Sequence, residues 1–68
     1  MTIDQAITLS SAQSRIVTIH ATPAGATALV DQLVTEAEDY ASPGDGVLID
    51  AWGTDEDGST WRVAIHQA

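Results

Sequence analysis

Between Thr22-Pro23 and Ser42-Pro43-Gly44 runs one amphipathic segment, and it limits what this chain can become. Ala26, Leu29, Val30, Leu33, Val34, Ala37, Tyr40 and Ala41 recur at spacings of three and four, which aligns them as a single apolar stripe on a helix. Thr22 is a favourable N-cap, and Pro23 at the first helical position loses no hydrogen bond. Pro43 and Gly44 cannot comfortably continue the helix. A stripe of this kind has to be buried against a second layer.

That layer is expected from β-rich runs. Arg15–Ala21 carries Val17, Ile19 and Ala21 on one side and Ile16, Thr18 and His20 on the other. Val47–Trp52 and Thr60–His66 flank Asp57-Gly58, a hairpin signal in which Gly58 takes a positive φ. A hairpin pairing Ala51 with Val63 and Ile49 with Ile65 puts Val47, Ile49, Ala51, Trp61, Val63 and Ile65 on the core face. Leu48, Asp50, Trp52, Arg62, Ala64 and His66 then share the other. Ile3–Leu9 also alternates, with Gln5 breaking the pattern, and is expected to be a strand turning through Ser10–Ser14 into the next. A short helix over Ser11–Ile16 competes with that turn. The expectation is therefore one α+β domain over residues 1–68, in ββαββ order. It is a four-stranded, mostly antiparallel sheet with one helix across one face.

The chain has only 68 residues and no cysteine, so disulfide and thiolate staples are excluded. A core this small leaves little stability in reserve. The uncovered face would hold Ile16, Leu48, Trp52 and Ala64, which suggests a second copy or a partner over it. A tolerated, partly wet face is the alternative. Trp52 and Arg62 face each other across the hairpin, either as a cation–π pair or as a binding anchor. Trp61 belongs to the core.

Charge narrows the function. Ten acidic residues stand against two arginines and no lysine, for a formal net charge of −8. A nucleic-acid backbone or an anionic membrane needs a basic footprint, which is missing. Asp31, Glu36, Glu38, Asp39, Asp45, Asp50, Asp55, Glu56 and Asp57 form one run uninterrupted by a cation. Three of them, Glu36, Glu38 and Asp39, would face the negative end of the helix dipole. Such a surface suits a basic partner, which it would attract at long range. A merely solubilising surface and adaptation to high salt remain alternatives.

Enzyme signatures are lacking. Gly44-Asp45-Gly46 follows a helix rather than opening one, and no nucleophile elbow or catalytic cysteine occurs. The Asp-rich loop misses an EF-hand: aligning Asp55, Asp57 and Gly58 leaves Gly53 and Ala64 at two ligand positions. His20, His66 and Asp50 are the one conceivable metal or acid–base set, if strand order brings them together. No cofactor is expected. The opening residues include Asp4 rather than basic ones, so no leader is expected, and no run approaches the ~20 apolar residues of a membrane span. A cytoplasmic location fits.

Short length, no cysteine, almost no cations, a β-rich frame around a helix and a run of acids together resemble small phage-encoded inhibitors of the anti-CRISPR type. The resemblance lies in overall profile and carries no motif. It implies a non-enzymatic inhibitor or adaptor, in some cases a DNA mimic, that docks on a basic surface. The acidic run itself, not the resemblance, offers the docking residues: Asp31, Glu36, Glu38, Asp39, Asp45, Asp55, Glu56 and Asp57. The alternative is a homodimeric module joined through Ile16, Leu48, Trp52 and Arg62.

Overall fold

A computed structural model describes residues 1–68, in the order α1 (Ile3–Gln13), β1 (Ile16–Ala21), α2 (Pro23–Glu36), β2 (Asp39–Ala41), β3 (Val47–Thr54) and β4 (Thr60–Gln67). The strands form one sheet in the order β1-β4-β3-β2. β1 runs parallel to β4, and the other two pairings are antiparallel. The architecture is α+β as expected, but the sheet is mixed and there are two helices.

The first expected strand is helix α1. Thr2 and Gln5 make a capping box: the Gln5 N–H donates to Thr2 Oγ1 at 3.1 Å, and the Thr2 N–H donates to Gln5 Oε1 at 2.8 Å. Helical spacing buries Ile3, Ala6 and Ser10 together, so the alternation of Ile3, Ile7 and Leu9 was coincidental. The expected turn at Ser10–Ser14 is the last helical turn, closed by Ser14 in the left-handed region at φ 52°. The competing short helix is also misplaced, because Ile16 is already β1. With no strand before it, β1 has no hairpin partner and pairs instead with β4.

The hydroxyl of Ser10 fixes that pairing. It is 1 % exposed, accepts the Arg62 N–H at 2.8 Å and stands 2.6 Å from the Arg15 carbonyl oxygen, to which it donates. One buried side chain thus ties α1 to both parallel strands where their ladder begins, at Ile16 opposite Arg62.

α2 is shorter than the stripe suggested. It ends at Glu36, Ala37 is already extended, and Asp39–Ala41 leaves the helix to pair with β3. Acids at a helix C-terminus disfavour continuing it, whereas the extended course gains ladder hydrogen bonds. Glu38 and Asp39 therefore lie on or beside a strand, not in the last helical turns, and Tyr40 and Ala41 are not part of the stripe.

The β3–β4 hairpin keeps the expected register, with Ala51 opposite Val63, Ile49 opposite Ile65, and Gly58 at φ 88°. A bulge at Leu48 breaks the alternation below Ile49 and sets Val47 opposite His66. Val47 therefore shares the open face with His66, and Leu48 packs against the core, reversing the expected placement of both. Further along, Trp61 lies over Gly53, where an added Cβ would approach its ring to 2.8 Å.

A single core of Ile3, Ala6, Leu33 and the inward residues of β1, β3 and β4 shows that both helices cover the same sheet face. The opposite face stays open. At the β2 edge, the strand is three residues long and Asp39 Oδ1 accepts the N–H of Tyr40 at 2.8 Å, which blunts it. No helix is long and apolar enough to cross a membrane.

Candidate docking surface

The open face is laid out by register. Ile16, Arg62, Trp52 and Asp39 form one row across the sheet; Thr18, Ala64, Asp50 and Ala41 form the next; His20, His66 and Val47 form the third. Arg62 holds Asp50 through two hydrogen bonds, Nε to Oδ1 at 2.9 Å and Nη2 to Oδ2 at 2.5 Å. Its guanidinium carbon also stands 5.9 Å from the Trp52 ring centroid. The Arg62 hydrogen bonds, with a smaller attraction from the same charge, hold the Asp50 carboxyl below its ordinary range against the opposing effect of burial.

This arrangement changes what the face offers. Of the expected apolar strip, Leu48 has gone to the core side, Ala64 is buried at 5 %, and Trp52 is half-buried beside Arg62. Only Ile16, 50 % exposed, stands out. The histidines do meet, edge to face with ring centroids 5.6 Å apart. Asp50 does not join them as a free ligand, because both its oxygens are bound by Arg62. No group of three or more His, Cys, Asp or Glu side chains is placed to hold a metal ion.

A groove of about 520 Å³ lies at one end of this face, lined by residues that include Arg15, Ile16, Ser59, Thr60 and Arg62. It gathers both arginines of the chain but has little net positive charge. Asp50 neutralises Arg62, Arg15 Nε donates to Gln13 Oε1 at 2.7 Å, and the acidic hairpin tip is adjacent.

The acids are arranged differently. Ten acidic residues and a single salt bridge, Arg62–Asp50, leave nine carboxylates without a cation. Asp31, Glu36, Glu38, Asp39, Asp45, Glu56 and Asp57 are exposed, and Asp55 is half-buried. Six of these converge at one corner. Glu36 ends α2, and Glu38 follows with its N–H donated to the Trp52 carbonyl at 3.0 Å. Asp39 lies opposite Trp52, and the Asp55–Asp57 tip begins three residues beyond Trp52, about 10 Å along the strand. The corner therefore joins the end of α2, the start of β2 and the hairpin tip. Asp31 sits about 7.5 Å further back along α2, and Asp45 lies at the far end of β2, in the turn to β3.

The tip is held in shape by its own acids. Asp55 Oδ1 accepts the Glu56 N–H at 2.7 Å, and Asp57 Oδ1 accepts the Ser59 N–H at 2.9 Å. The hydrogen bonding from Ser59 also lowers the Asp57 pKa. By contrast, the carboxylates of Glu36, Glu38 and Glu56 accept no hydrogen bond from the protein, and all three residues are exposed. Sequence reasoning missed Asp4, which lines a small cleft with Gln32, Thr35 and Glu36 and so extends the corner onto α1. Reading Thr2-x-x-Gln5 as a capping box would have revealed it.

The chain matches no protein-family model, no curated protein and no solved structure.

Proposed function

We propose that the protein is a non-catalytic binding module whose acidic corner docks on a basic, nucleic-acid-binding surface of a partner protein. The observation that carries this reading is that Glu36, Glu38, Asp39, Asp55, Glu56 and Asp57, brought from the end of α2, the start of β2 and the hairpin tip, are each without a salt-bridge partner. Bringing like charges together raises the self-energy of the fold, and no salt bridge to these acids offsets it. A partner rich in lysine and arginine would. Fixed carboxylates spaced along a strand edge and a hairpin tip also offer such a partner the kind of anionic array it meets on a phosphate backbone. Inhibition by occupying that site, as in the acidic phage proteins the sequence resembles, is the mode of action this favours, in the cytoplasm where such complexes work.

Capture of binding proteins on the immobilised protein, from a nuclease-treated lysate, tests the reading. The expected result is a basic, nucleic-acid-binding partner that is released when duplex DNA or RNA is added as competitor. A partner that stays bound while it also holds its nucleic acid overturns the docking site proposed here.

A further inference from the structure

We infer that a second copy of this chain joins at the β1 edge, extending the four strands to eight. The two outer edges of the sheet differ in kind. β2 is three residues long, and Asp39 blocks the Tyr40 N–H. β1 is six residues long, Ile16-Val17-Thr18-Ile19-His20-Ala21, with no proline, glycine, lysine or acid. Between Ile16 and His20 no backbone group receives a hydrogen bond from a side chain or a loop. Alternate N–H and C=O groups of this strand therefore face outward unpaired, along a β-branched run that favours strand pairing.

Charge selects the same edge. Two molecules of net charge −8 repel, and the repulsion is least when their acidic regions are far apart. The strand order puts β1 at the opposite side of the sheet from β2 and its acids, with the Asp55–Asp57 tip between them at the β3–β4 turn. Joined at β1, two copies hold their β2 strands seven spacings apart, about 34 Å at ~4.8 Å per spacing. That is several Debye lengths at ~0.15 M salt, where the length is about 8 Å. Ile16, half exposed at this edge, becomes covered.

A two-fold axis through Thr18 or Ile19 makes the strands antiparallel. It also keeps Val17, Ile19 and Ala21 of both copies on the core side, because pairing about a residue preserves face while pairing between residues does not. This edge association differs from the open-face association expected from the sequence. The assembly would carry an acidic corner at each end, a bivalent arrangement.

Sedimentation equilibrium on the purified protein needs no partner, so its outcome is independent of the docking proposal. The chain of 7.1 kDa is expected to sediment as a dimer at micromolar concentration. Thr18→Lys, at an exposed position of β1, is expected to raise the dimer dissociation constant at least about tenfold while leaving the far-ultraviolet circular dichroism unchanged. Tyr40→Lys, on the β2 edge, is expected to leave it unaltered. Spin labels at Asp39→Cys should be about 30–40 Å apart in the dimer. A monomer at all concentrations, a dimer indifferent to Thr18→Lys, or a label separation under about 20 Å overturns the inference.

Discussion

The Arg62 guanidinium grips the Asp50 carboxylate with two parallel hydrogen bonds across the β3–β4 hairpin, in the middle of a sheet face that no helix covers. It is the sole ion pair of a molecule with nine other carboxylates, so it marks where charge is structural. The other nine carboxylates form no ion pair.

The pair makes stability depend on acid in a defined direction. Folded Asp50 binds its proton less tightly than the unfolded residue, whose ordinary value is 3.8, because Arg62 bonds its ionised form. The stabilisation is complete above that value and is lost as pH falls through the lower folded value. Asp50→Asn is expected to lower the urea midpoint at pH 7 and to narrow its gap from wild type as pH falls below 3.8. Equal gaps at both pH values would refute this role.

Ser10 supplies a second test. Ser10→Ala leaves the Arg62 N–H without its buried acceptor and the Arg15 carbonyl without its donor. A loss of about 1–3 kcal/mol is expected in equilibrium denaturation. Amide exchange should speed up first at the start of the β1–β4 ladder.

Gly53→Ala is expected to cost about 1–3 kcal/mol, because the new methyl meets the Trp61 ring and one of the two must move. The Trp61 fluorescence maximum should shift toward that of a more exposed indole. A neutral substitution would mean that the ring does not pack there.

These positions show what the sequence revealed. The hairpin register, the inward faces of β1 and β4 and the start of α2 at Pro23 were legible, because each rests on local chemistry: a turn glycine, alternation, and a proline at the first helical position, although the Thr22 side chain makes no capping hydrogen bond. The α1 segment was misread because three apolar residues fit period two nearly as well as helical spacing, and the capping box that decides between them was overlooked. The end of α2 was misread because Tyr40 and Ala41 continue the stripe by chance. Leu48 changed sides through a one-residue bulge that no side chain announces. All the acids except Asp4 were visible as a run. The placing of six of them at one corner depends on β2 leaving the helix and pairing with Trp52, which only the tertiary fold decides.

Unpaired acids also predict a response to salt. Raising sodium chloride from about 0.05 to 0.5 M screens their mutual repulsion, so the thermal midpoint of the protein alone should rise. A flat response would mean that the corner carries no electrostatic strain.

The most direct test of the docking claim is the salt dependence of partner affinity for the wild type and for the triple variant Glu36→Gln, Glu38→Gln, Glu56→Gln. These glutamates make no side-chain hydrogen bonds, so the variant should fold normally. Affinity for the captured basic protein should fall steeply with salt in the wild type, and the variant should bind more weakly with a shallower slope. Equal affinity and equal slope for the two proteins would show that the acidic corner is not where the partner sits.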